Sequence, residues 1–158
     1  MADLNAVLWH ERELLETLQF ALESEQLMLA SGRTRWLPRA AMAVEDAITS
    51  LRETEVLRAA EADAVASELG LPANVSLSAL AQAADEPWQS IFTEQRDAFL
   101  AATTEISQVA TTNREMLVIG QRATHEALLC LSVGGTTYTP DGATEAAGPR
   151  ARLVDRSI

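Results

Sequence analysis

Few residues of this chain are spaced for chemistry. His10 and Glu13 stand three apart, so on a helix they share a face, as a metal pair or an acid–base couple would. Two ligands are too few to hold a metal ion. Di-iron bundles need Glu-x-x-His on two helices, and the sequence has none. His125 stands next to Glu126 and points elsewhere on its helix. Neither histidine has a Ser-His-Asp constellation around it. No glycine-rich phosphate loop exists, and Gly134-Gly135 is an isolated pair. Cys130 lies on an apolar helical line and reads as a small hydrophobe. These residues give no reason to expect catalysis, a metal or a cofactor. The polar residue of interest is Asn113, which falls on an apolar stripe between Val109 and Met116. A buried Asn there would fix helix register; a surface Asn would face a bound peptide. Both readings stand.

The elements that carry these residues are helices. From Asp3 to Ala30, Leu4, Val7, Leu8, Leu14, Leu15, Leu18, Ala21 and Leu22 recur in steps of three and four, which marks one buried face. Asp3 is suited to cap the start, and Ser31-Gly32 the end. A second helix is expected from Thr34, as N-cap, to Leu69, with Pro38 in its first turn. Its stripe is Leu37, Ala41, Val44, Ile48 and Leu51, then Ala62, Val65 and Leu69; Glu55 and Arg58 make the middle wetter. Gly70 and Pro72 stop it. Residues 70–86 connect, with one or two helical turns at Ser76–Ala81. Asp85 and Pro87 open a third helix, expected over 86–131. Its stripe runs Phe92, Gln95, Phe99, Ala102, Ile106, Val109, Asn113, Met116, Gly120, Ala123, Ala127, Cys130. The fold expected is all-α: an antiparallel bundle of three long helices with a short connector helix. Residues 1–131 would form the helical domain, and 132–158, rich in Gly, Pro and Thr, a flexible tail. Tyr138 and the terminal Arg152–Ile158 belong to that tail.

Composition agrees with one globular domain. The 47% hydrophobic content with only 4% aromatic residues leaves the core to Leu, Val, Ile and Ala. The net charge of −11, with Arg as the only strong base, argues against nucleic acid and anionic membranes as partners. A single cysteine permits no intrachain disulfide, and no basic-then-apolar leader opens the chain. No apolar run approaches the roughly 20 residues a bilayer needs. The expected compartment is the cytoplasm.

Helix lengths do not match. At 1.5 Å per residue the three helices would be roughly 42, 50 and 68 Å long. Roughly the last ten to fifteen residues of the third are then expected to project past the first helix and its turn. That stretch is apolar: Leu117, Thr124, Leu128 and Leu131 form a line beside Gly120, Ala123, Ala127 and Cys130. Gly120 is small enough to let another helix approach. A large exposed apolar patch is usually a contact surface, and an amphipathic partner helix would cover it. The alternative is that the stretch folds back or pairs with its own copy, so monomer and homodimer both remain open.

Four segments together resemble a known family. They are Leu8-Trp9-His10-Glu11-Arg12-Glu13-Leu14-Leu15, Leu29-Ala30-Ser31-Gly32-Arg33-Thr34-Arg35-Trp36-Leu37, Leu69-Gly70-Leu71-Pro72 and Thr112-Asn113-Arg114-Glu115-Met116-Leu117. In order and spacing, over roughly residues 4–131, the chain resembles the FlgN-type flagellar export chaperones. The resemblance implies a cytosolic chaperone for the hook–filament junction proteins FlgK and FlgL. It would bind their C-terminal amphipathic segments, prevent premature assembly and bring them to the export machinery. It also implies partner contact by Asn113, Met116 and Leu117; Gly120, Thr124, Leu128 and Leu131 come from the apolar line alone. A structural coiled-coil homodimer or an adaptor without a secreted client is the alternative.

Overall fold

The computed structural model describes residues 1–133. The sequence features assigned to the tail beyond them, Tyr138 and Arg152–Ile158 included, lie outside the described residues. Among the described residues, four α-helices and one 3-10 turn follow in order: α1 (Ala2–Ala30), the 3-10 turn Thr34–Trp36, α2 (Leu37–Glu68), α3 (Leu77–Ala83) and α4 (Trp88–Val133). No strand occurs among the described residues. The chain divides into two units, Met1–Met116 and Leu117–Ile158.

The first unit is a bundle with its caps set by glycine. Gly32 (φ 65°) and Gly70 (φ 70°) both take the left-handed conformation. After α1, the Gly32 N–H donates to Leu29 O and the Arg33 N–H to Met28 O. After α2, Gly70 N–H donates to Ser67 O and Leu71 N–H to Ala66 O. Both ends are Schellman motifs, which satisfy carbonyls the helix leaves open. The N-termini differ from the sequence expectation. Met1, not Asp3, holds the N-cap position of α1; Asp3 sits in the first turn, where its charge still favours the helix dipole. Thr34 opens the 3-10 turn, and α2 starts three residues later with Pro38 in its first turn. Asp85 serves α4 through its backbone carbonyl, which accepts from the Gln89 N–H, and the helix proper begins after Pro87. On α3, the Ser76 hydroxyl accepts from the Ala79 N–H.

Two apolar clusters hold the bundle. In the first, Leu4 and Leu8 of α1 meet Val65 and Ala66 of α2, Leu80 and Ala81 of α3, Ala84, and Phe92 of α4. Trp88 closes it, with its ring 5.8 Å from that of Phe92. In the second, Leu18 and Leu22 meet Ala47, with Val44, Ile48, Leu51, Ile106, Val109 and Ala110 around them. Between the clusters Glu11 of α1 pairs with Arg58 of α2 at 2.9 Å, and Thr54 is buried. This is the wetter middle expected of α2. Cross-links fix direction. Glu11 with Arg58, and Leu18 and Leu22 with Ala47, set α1 and α2 antiparallel. Gln95 donates to Asn5, Gln19 to Glu105, and Asn113 to Leu22, so within this unit α4 runs parallel to α1.

The second unit, so far as described, is the remainder of α4. It extends two residues beyond the expected end, to Val133. Proline is absent until Pro140, so no residue interrupts the ladder.

Candidate partner-binding surface

The α4 stripe is covered only in part. Phe92 and Gln95 are buried, and Phe99, Ala102, Ile106, Val109 and Met116 are half-buried. From Leu117 to Ser132 every side chain is exposed. Leu117 is 44% exposed, Leu128 60% and Leu131 78%. At about 100° per residue, Ile119, Cys130, Ala123, Ala127, Gly120, Leu131, Thr124, Leu117 and Leu128 share about half the helix circumference. Gln121 and Glu126 bound this arc. Val118 and Leu129, also exposed, form a smaller apolar pair on the other side, near Arg122 and His125.

The two hydroxyls on this surface are already satisfied. The Thr124 hydroxyl donates to Gly120 O at 2.8 Å and the Ser132 hydroxyl to Leu129 O at 2.8 Å. Covering them forgoes no unpaired donor. A Cβ placed on Gly120 would meet nothing within 4 Å. Glycine inside a helix costs roughly 1 kcal/mol relative to alanine, and no contact among the described residues explains it. Charge is also distinct here. Residues 1–116 carry eight arginines against nineteen carboxylates, and residues 117–158 four against four, so the entire net charge of −11 lies on the first unit.

The seven residues singled out in the sequence do not share one environment. Leu117, Gly120, Thr124, Leu128 and Leu131 are exposed in the second unit. Met116 is half-buried in the first. Asn113 is only 2% exposed; its amide donates to Leu22 O at 2.8 Å and to the Glu25 carboxylate at 3.0 Å. It faces α1 because it continues the Ile106–Val109 line. The register reading is therefore the one its geometry fits, and its side chain offers no surface to a partner. Ile119, Val118 and Leu129 were missed by the sequence reading. They lie off the two adjacent lines that the spacing marks, and only the run Leu117-Val118-Ile119 signals them.

A second concavity, of about 270 Å³, lies within the first unit among Leu8, Glu11, Arg58, Leu77, Arg96, Phe99 and Leu100. Burial pushes the Glu11 carboxyl above its ordinary range, against the pull of Arg58; Glu55 adds to the rise. Arg58 also lies 3.7 Å from Glu55. No hydroxyl, thiol or histidine lines this cleft. Among the described residues no three His, Cys, Asp or Glu side chains are grouped to hold a metal ion, and no helix is long and apolar enough to cross a membrane.

Comparison with known proteins gives one family. Residues 1–146 match the family model described as FlgN protein. No curated protein and no solved structure matches the chain significantly. The match spans most of the sequence and includes α1 to α4 with the exposed apolar stretch. The chain therefore belongs to the FlgN family of flagellar export chaperones.

Proposed function

We propose that this chaperone binds the C-terminal amphipathic segments of the hook–filament junction proteins FlgK and FlgL in the cytoplasm, prevents their premature assembly and delivers them for export. The observation that carries the reading is the unbroken exposure of Leu117 to Ser132, with an apolar arc centred near Gly120. A client segment must bury one apolar face in the filament and must keep it covered beforehand. Leu117, Leu128, Leu131 and Ile119 supply the matching cover. Each leucine fully buried stabilises the complex by up to roughly 1.5–3 kcal/mol. After the cost of ordering two partners, a micromolar complex at about −8 kcal/mol is within reach and still releases its client. The acidic first unit keeps the loaded complex apart from other acidic surfaces.

Leu128→Asp is the test. It places a charge on the apolar arc without touching the bundle core. Co-purification with FlgK and FlgL should be lost while far-ultraviolet circular dichroism stays unchanged. Wild-type capture by this variant would overturn the site. Light scattering of the free chain separates client binding from self-pairing: a tight dimer dispersed by the same substitution would favour the homodimeric reading.

A further inference from the structure

The side of α1 turned away from the core carries a second periodic line. Trp9, Glu13, Glu16, Phe20, Glu23 and Leu27 succeed one another in steps of four and three, and all six are exposed. That spacing is a coiled-coil seam, yet the α1 core contacts are made by the opposite line, Leu4, Leu8, Leu15, Leu18 and Leu22. Phe20 and Leu27 are each 72% exposed. A singly exposed apolar side chain is ordinary; here three of them share one line with three carboxylates over roughly 27 Å. No arginine pairs with those carboxylates among the described residues. Glu13 has only His10, at 3.7 Å, and Glu23 accepts from Gln19.

We propose that this seam docks a basic amphipathic helix of a partner protein. The partner's apolar residues would cover Trp9, Phe20 and Leu27, and its Lys or Arg side chains would pair with Glu13, Glu16 and Glu23. Charge complementarity selects this occupant. Two copies of the seam in register would set Glu13 against Glu13 if parallel, or against Glu23 if antiparallel, and like charges at such positions disfavour pairing. The surrounding unit bears the whole −11 charge, which speeds encounter with a cationic helix. The surface uses residues 9–27 and none of 117–131, so it stands independently of the client site.

The experiment uses the full chain and a fluorescein-labelled synthetic peptide helix with leucines phased to the apolar positions and lysines phased to the glutamates. Anisotropy should report binding that weakens with added salt. A peptide of the same composition in scrambled order should bind at least about tenfold more weakly. Phe20→Ser with Leu27→Ser should weaken the phased peptide at least about tenfold. Glu13→Gln, Glu16→Gln and Glu23→Gln together should flatten the salt dependence. All these positions are exposed, and circular dichroism should show the fold retained. Leu128→Ser should leave binding unchanged. Equal binding of the scrambled peptide, an undiminished Phe20/Leu27 variant, or loss through Leu128→Ser would overturn the proposal. So would a self-associating free chain that the Phe20/Leu27 substitutions render monomeric.

Discussion

Asn113→Ala removes the one buried polar link between α4 and α1 whose donors are both engaged. The amide gives a hydrogen bond to the Leu22 carbonyl at 2.8 Å and another to the Glu25 carboxylate at 3.0 Å. The first is a neutral bond of about 1 kcal/mol net; the second is charge-assisted but reaches a half-buried acceptor, so about 1–1.5 kcal/mol is appropriate. The expected loss is about 2–3 kcal/mol, a fall in melting temperature of roughly 6–12 °C for a domain of this size. Urea and thermal unfolding followed by circular dichroism would measure it. Asn113→Leu refines the test. Both substitutions remove the buried, unpartnered Oδ1, but leucine also fills the volume that alanine leaves empty. The loss should shrink to about 1 kcal/mol. Client capture should survive both substitutions in the folded range. If Asn113→Ala melts with the parent but no longer captures FlgK or FlgL, the residue serves a partner and the inward reading of its geometry is wrong.

Two further substitutions follow from the same structure. Glu11 has a folded pKa raised above the usual carboxylate value by burial. A raised carboxylate favours the folded state below its unfolded pKa, and that contribution is lost as pH rises through the folded value. Glu11→Gln should therefore gain on the parent, in urea midpoint, between acid and neutral pH; a difference independent of pH would contradict the burial argument. Gly120→Ala should stabilise the free chain by up to about 1 kcal/mol, because nothing lies within 4 Å of the added carbon. If a client helix approaches closely at Gly120, calorimetry should show weaker binding despite the firmer helix; unchanged affinity would place the client elsewhere.

The sequence alone determined the helices, most of their ends and the apolar character of the run that begins at Leu117. Periodicity of three and four is written in consecutive residues, and Gly32 and Gly70 are needed where the backbone turns left-handed. Capping side chains were less legible. Asp3 and Thr34 both have a capping side chain, but at neither did helix and capping bond begin together, since a terminus shifts by a residue or more at little cost. Only the tertiary structure decided what each face meets. Asn113 and Leu117 lie four residues apart in one helix, yet one is buried against α1 and the other is exposed. Likewise on α1, the line Trp9, Phe20 and Leu27 stays exposed opposite the apolar stripe that packs in the core. Glu11 and Arg58 are 47 positions apart, and nothing local announces their pairing. Helical spacing is a property of one segment, so it tells which side chains stand together. What covers them depends on residues distant in the chain, and that is settled only when the helices pack.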